Sequence, residues 1–161
     1  MSWDSVAKYL KQFDADGRMI SFDVSSATVE LAAEALHVSP ARIAKTISLK
    51  HGEHCVLIVM SGDAKIDKGK FKRQFGVQAS MLPLERVEEE TGHPVGGVCP
   101  FAVRENVPVY LDVSLKRFQT VFPAAGTANS AIELSIEELE RFSAARGWVD
   151  IGKSWDPDQR D

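Results

Sequence analysis

Residues 43–60 read IAKTISLKHGEHCVLIVM, and this stretch decides the fold class. Ile43, Ile47 and Leu49 recur at one parity, as they would on one face of a strand. The segment His51-Gly-Glu-His54 has the glycine and polar residues of a hairpin turn. Cys55–Met60 follows as an unbroken apolar run, the pattern of a central strand covered on both faces. Lys45 shares the parity of the isoleucines. A charge on the apolar side of a strand must be solvated or paired, so Lys45 either snorkels at the strand end or serves a site.

On the N-terminal side, Val6, Leu10 and Phe13 have helical spacing, and Ser2 can cap that helix. Asp14–Gly17 ends it, and residues 18–24 read as a short extended segment with Met19 and Phe22 turned inward. Ser26 or Thr28 caps a second helix over Val29–Leu36. Ser39-Pro40 restarts a helical turn, with proline at the position where its missing donor costs nothing.

Beyond the hairpin, Asp67 can cap a helix with Phe71 and Phe75 inward and Gly76 at its end. Lys68, Lys72 and Arg73 decorate this helix in an otherwise acidic chain. Such charges are either a solvated face or a landing surface for a phosphate backbone. Residues 77–81 read as a short strand and residues 83–91 as a helix stopped by Gly92. Then comes Thr91–Phe101, TGHPVGGVCPF, where Gly96-Gly97 and Pro100 can hold a backbone amide rigidly open to a ligand. Residues 107–112 read as a strand near a sheet edge, because Pro108 cannot donate to a ladder. Two strands, 119–122 and 131–134, flank a loop of small residues containing Gly126 and Ser130. Ser135-Ile-Glu-Glu138 matches a capping box opening the last helix.

With 161 residues, 44% apolar and 26% charged, the chain suits one soluble domain with a real core. The expected division is a domain over residues 1–151 and a polar, frayed tail over residues 152–161. No apolar run reaches the ~20 residues a bilayer requires. Cys55 and Cys99 are too few for a disulfide framework and suit a reducing cytoplasm. A net charge of −4 excludes a coat for long nucleic acid but leaves room for a local basic patch. Clusters of strands separated by helices indicate α+β or mixed α/β architecture.

Among chemistry-bearing groups, His51, His54, Cys55, His93 and Cys99 match no zinc spacing, and no metal is expected. Cys99 with His93 as base would make a thiol nucleophile. No phosphate loop, dinucleotide fingerprint or GxSxG elbow occurs. Lys45 and the glycine loop remain. A lysine that polarises polar groups and an amide that holds a carbonyl oxygen together suit hydrolysis of an activated ester.

The order AKTISLK, CVLIVMSGDAKID, GGVCPF, VYLD, AAG and IELS resembles the YbaK/prolyl-tRNA-editing-domain family, from about Phe22 to Phe142. The resemblance implies a mixed, largely antiparallel barrel-like sheet surrounded by helices. It implies a deacylase of mischarged tRNA, typically alanyl- or cysteinyl-tRNA(Pro), with no cofactor. The family's lysine corresponds to Lys45, which would hold the terminal adenosine. Its GxxxP motif corresponds to Gly96–Pro100, where the Gly96 amide, with Gly97 and Pro100 beside it, would anchor the aminoacyl carbonyl or ribose. Water assisted by the substrate's ribose hydroxyl would attack, and Cys99 becomes a bystander, since relatives often carry serine there. Phe22, Thr28, Gly126 and Ser130 are further pocket residues on this reading. The partners implied are a mischarged tRNA acceptor end and prolyl-tRNA synthetase, with no membrane. Two departures stand out: Ala131 occupies a position where some cysteine-specific relatives carry aspartate, and Ala125–Asn129 lacks the family's basic residues. The altered loop motivates the alternative, a non-catalytic module that grips a tRNA end or an aminoacyl ligand.

Overall fold

The computed structural model describes residues 2–160. Residues 1 and 161, the first of the expected domain and the last of the expected tail, lie outside the described residues. In chain order the elements are α1 (Ser2–Lys11), β1 (Ile20–Ser21), α2 (Val29–Leu36), β2 (Ile43–His51), β3 (His54–Ser61), β4 (Lys65–Ile66), α3 (Lys68–Phe75) and α4 (Leu84–Thr91). After these come β5 (Val109–Asp112), β6 (Thr120–Pro123), β7 (Ser130–Ala131), β8 (Leu134–Ser135), α5 (Ile136–Phe142), β9 (Gly147–Val149) and β10 (Gly152–Lys153).

A six-stranded sheet in the order β8-β6-β2-β3-β5-β9 organises the molecule. The hairpin β2–β3 lies at its centre, pairing Ala44 with Ser61 through to His51 with His54. Of the seven strand pairings among the described residues, four are antiparallel, β1–β7, β10–β4, β2–β3 and β6–β8, and three are parallel. The fold is thus mixed α+β, with helices around a curled sheet. Val56, Leu57, Ile58, Val59 and Met60 are all fully buried, because β3 has a core on each face. Leu57 and Val59 join Phe101, Val121 and Leu139 on one side, while Val56, Ile58 and Met60 join Phe71 and Ile151 on the other.

Local signals set the helix ends. The Thr28 hydroxyl accepts from Leu31 N–H at 3.1 Å, and Asp67 accepts from Lys70 N–H at 3.0 Å. Gly76 and Gly92 close α3 and α4 in the left-handed conformation, which glycine adopts without a Cβ penalty. Ser135 and Glu138 form the full capping box on α5.

Five local expectations are corrected. Residues 16–18 form a 3-10 turn, leaving only Ile20–Ser21 extended. Residues 77–81 make a single bridge, Leu49 to Met81, instead of a strand. The strand containing residues 109–112 is internal, between β3 and β9. Pro108 sits just before it and contributes only its carbonyl, to Leu57 N–H at 3.0 Å, so its missing donor costs nothing. The segment 131–134 is split between β7, paired with β1, and β8, paired with β6. The segment expected to fray instead carries β10, and Trp155 packs under the Arg117 guanidinium at 4.9 Å. Among the described residues no helix is long and apolar enough to cross a membrane.

Candidate active site

A cavity of about 240 Å³ opens beside β2, between α2 and the glycine loop. Its wall takes Thr28, Val29 and Ala32 from the start of α2, Ile43–Ser48 from β2, Val87 from α4, and Gly96 and Val98 from the loop. Phe122, Ala124, Ser130 and Ala131 close the far side. Four expected site residues, Lys45, Gly96, Thr28 and Ser130, therefore meet at one cavity, although 102 positions separate Thr28 from Ser130. None of the residues on this wall is an Asp, Glu, His or Cys.

Lys45 stands opposite Met60 in the β2–β3 ladder, which puts its side chain on the face of Ile47 and Leu49. Its side chain is part-buried, and its ammonium turns back to the main chain. Nζ donates to the carbonyls of Gly62, at 3.2 Å, and Ala64. Burial lowers its pKa, while the charges of Asp63 and Glu30 oppose that shift. The turn that presents those carbonyls is held from behind: Arg117 grips Asp63 through bonds of 2.6 and 3.0 Å and is almost fully buried. Gly62 must lack a side chain, because a Cβ there would come within 2.1 Å of the Pro40 carbonyl oxygen.

In the glycine loop, Gly97 N–H bonds to the Pro94 carbonyl at 3.0 Å, and Gly96 has φ +87°. This is the turn position that type II geometry reserves for glycine. Gly97 is buried away from the cavity, where a Cβ would lie 2.8 Å from Thr127 Cα. The close approach locks the glycine loop against the 124–130 loop.

The other expected residues are placed around this centre. Phe22 lies off the cavity wall and clamps the 124–130 loop, its N–H bonding to Asn129 O at 2.8 Å and its carbonyl accepting from Asn129 Nδ2 at 2.9 Å. Gly126 faces α1, where a Cβ would meet Val6 and Ser2. Pro100 is buried and borders a shallow depression with Tyr9 and Arg146. Ser130 lines the cavity, yet its hydroxyl accepts from Thr127 N–H at 3.2 Å. Lys68, Lys72 and Arg73 are exposed on α3, away from the cavity wall.

The thiol-nucleophile arrangement is excluded by its own hydrogen bonds. His93 Nε2 lies 2.6 Å from the Phe101 carbonyl oxygen, an acceptor only, so Nε2 carries the proton. Nδ1 then accepts from the Ser2 hydroxyl at 2.6 Å. Cys99 Sγ lies 3.5 Å from the protonated Nε2, which cannot act as its base. Burial pushes the Cys99 thiol up to about 12.

Sequence reasoning missed Thr46, Met81, Leu84 and Val95. The last three are 62%, 69% and 53% exposed at the cavity mouth, an apolar rim that helical or strand periodicity would have assigned to a core. Only their proximity to Pro83 and the glycine loop hinted otherwise.

Residues 24–142 match the family described as the aminoacyl-tRNA editing domain. The uncharacterized protein YwhH of Bacillus subtilis is 51% identical over 97% of this chain and 100% of its own length. EbsC of Enterococcus faecalis, a candidate Cys-tRNA(Pro)/Cys-tRNA(Cys) deacylase, is 28% identical over 70% of each chain. A crystal structure of a candidate trans-editing enzyme for prolyl tRNA synthetase superposes with a TM-score of 0.85 at 26% identity, covering 94% of this chain and 97% of its own.

Proposed function

Since the chain belongs to the aminoacyl-tRNA editing domain family, we propose that it is a trans-editing hydrolase that removes a small, uncharged amino acid from mischarged tRNA, alanyl- or cysteinyl-tRNA(Pro) first. The observation that carries this reading is the meeting of Lys45 and Gly96 at one small cavity whose wall holds no carboxylate, imidazole or thiol. At about 240 Å³ the cavity is below the ~300–1,000 Å³ of a drug-sized site. It suits an aminoacyl group, with the terminal nucleotide left at the mouth. The exposed apolar side chains of Met81, Leu84 and Val95 offer that nucleotide's base a flat apolar seat.

On this reading Lys45, fixed by two carbonyls, holds the terminal adenosine end, and the Gly96 amide holds the aminoacyl carbonyl oxygen where charge develops during attack. Water adds to the carbonyl carbon, the bond to the ribose oxygen breaks, and that oxygen leaves protonated. With no side-chain base on the wall, the neighbouring ribose hydroxyl acts as a relay, taking the attacking water's proton as it passes its own to the departing ribose oxygen. Prolyl-tRNA synthetase is the partner that would generate the substrate. Incubation with alanyl-, cysteinyl- and seryl-tRNA tests the proposal. Release of amino acid that is lost in Lys45→Ala supports it; tight binding of charged tRNA with no turnover at high protein concentration would instead favour a binding module.

A further inference from the structure

An aminoacyl ester carries a free α-ammonium group, which must find oxygen acceptors once the amino acid is enclosed. The cavity wall has no carboxylate to offer, and its single charged side chain is itself a cation. The hydroxyls of Thr28, Ser130 and Ser26 are committed, the first to Leu31 N–H, the second to the Thr127 loop and the third to Ala128 O at 3.4 Å. Of the two remaining wall hydroxyls, those of Ser48 and Thr46, the threonine's stands out. Thr46 Oγ1 is buried and has no hydrogen-bond partner among the described residues. Such orphans are rare in folded proteins, and each calls for an explanation.

The main chain of Thr46 is exposed to the same space by the sheet's topology. In β2 the even-numbered residues direct their main-chain groups away from β3: Lys50 N–H donates to Ser80 O at 2.8 Å, and Ser48 O accepts from Leu82 N–H at 3.1 Å. At the other end, Ala44 pairs with Pro123 of β6, and that parallel ladder goes no further. Thr46 lies in the gap between the two partners, and strand alternation aims its carbonyl at the cavity. Thr46 stands opposite Val59 and Lys45 opposite Met60, so their side chains leave opposite faces of β2. The lysine ammonium, drawn off by Gly62 and Ala64, does not compete for this notch.

We propose that Thr46 receives the α-ammonium group of the aminoacyl ester, through its carbonyl oxygen and its side-chain hydroxyl, and so restricts the site to substrates with an unblocked amine. This rests on the editing function proposed above. An N-acylated or peptidyl ester lacks the charge that would bond there, and is disfavoured.

The probe is adenosine carrying alanine through a 3′-amide, which cannot be hydrolysed as an ester, together with its N-acetyl counterpart. Calorimetric titration of the full chain is expected to show at least about tenfold tighter binding of the free-amine form, the scale of a hydrogen bond to a charged group. Thr46→Val, which keeps the shape and removes the hydroxyl, should cut that preference severalfold, and Thr46→Ser should restore it. An unchanged preference in Thr46→Val, or none in the wild type, overturns the assignment. Turnover of alanyl-tRNA is measured in parallel. Turnover with unaltered selectivity in Thr46→Val overturns the role of Thr46 alone, whereas neither turnover nor binding in the wild type overturns the editing function as well.

Discussion

Asp63 and Arg117 meet through paired bonds of 2.6 and 3.0 Å, and the turn they anchor holds the Lys45 ammonium by its Gly62 and Ala64 carbonyls. The Arg117 side chain is only 3% exposed and also donates to Ser114 O and Asp156 O. Removing its carboxylate would leave a buried cation short of a partner. Asp63→Asn should therefore cost about 3 kcal/mol of stability, read from urea unfolding. At temperatures where the variant stays folded, deacylation should still fall, because Lys45 loses its fixed seat. Lys45→Met, by contrast, should reduce deacylation on the order of 10²-fold while leaving the fold intact by circular dichroism.

The two neighbouring glycines should respond differently to alanine. A methyl at Gly96 meets only the Ala27 and Ala128 side chains, at 3.2 and 3.5 Å, but would sit at φ +87°. That strain is about 1–2 kcal/mol. A methyl at Gly97 would meet backbone atoms of Gly126 and Thr127 inside 3.0 Å, forcing the two loops apart. Gly97→Ala should show the larger drop in melting temperature, and Gly96→Ala the larger loss of activity per unit of stability lost. Equal effects on both measures would mean that Gly96 has only a structural task.

Lys68 and Lys72 lie exposed on α3, whereas Lys70 is tied to Asp150 at 3.2 Å. Of the three lysines on α3, only the first two are open to phosphates, beside the exposed Arg73. Lys68→Glu with Lys72→Glu should weaken tRNA binding at low salt and flatten its salt dependence by roughly two counterions, with turnover at saturating substrate unchanged. Filter binding across a salt series reads the slope. An unchanged slope would make the stretch a solvated helix face.

Most of the architecture was legible because its signals are local. Thr28, Asp67 and Ser135 each bond the amide that their capping positions predict, and the central hairpin follows from the apolar run after His54. Misreadings arose where tertiary pairing overrode the pattern. Pro108 stands one residue outside β5, and residues 131–134 change sheet partners within four positions, which no periodicity encodes. At the site, Lys45 drew notice because a charge broke an apolar parity. Thr46 gave no such sign, since a threonine in a strand is ordinary. Its distinguishing feature is the end of the β6 ladder beside it, a property of topology alone.

The His93–Cys99 pair makes a prediction that concerns stability and not catalysis. Both side chains are fully buried, and each is held neutral, His93 with its pKa lowered by burial and Cys99 with its thiol pushed up to about 12. For the histidine, the unfolded chain takes up a proton as pH falls below about 6.5 while the folded chain resists. Unfolding is then favoured progressively on the acid side, by at most about 1.4 kcal/mol per pH unit. For the cysteine the sign reverses: the unfolded thiol ionises above about pH 8.5, so stability present below that pH is lost as pH rises toward the folded value. Urea midpoints measured between pH 5 and 9.5 should fall at both ends. His93→Gln should flatten the acid shoulder alone, and Cys99→Ser should reduce the alkaline one, leaving the part due to Cys55, whose thiol burial pushes up to about 11. Cys99→Ser should keep full deacylase activity, because the histidine proton is already spent on Phe101 O and the thiol lies off the cavity wall.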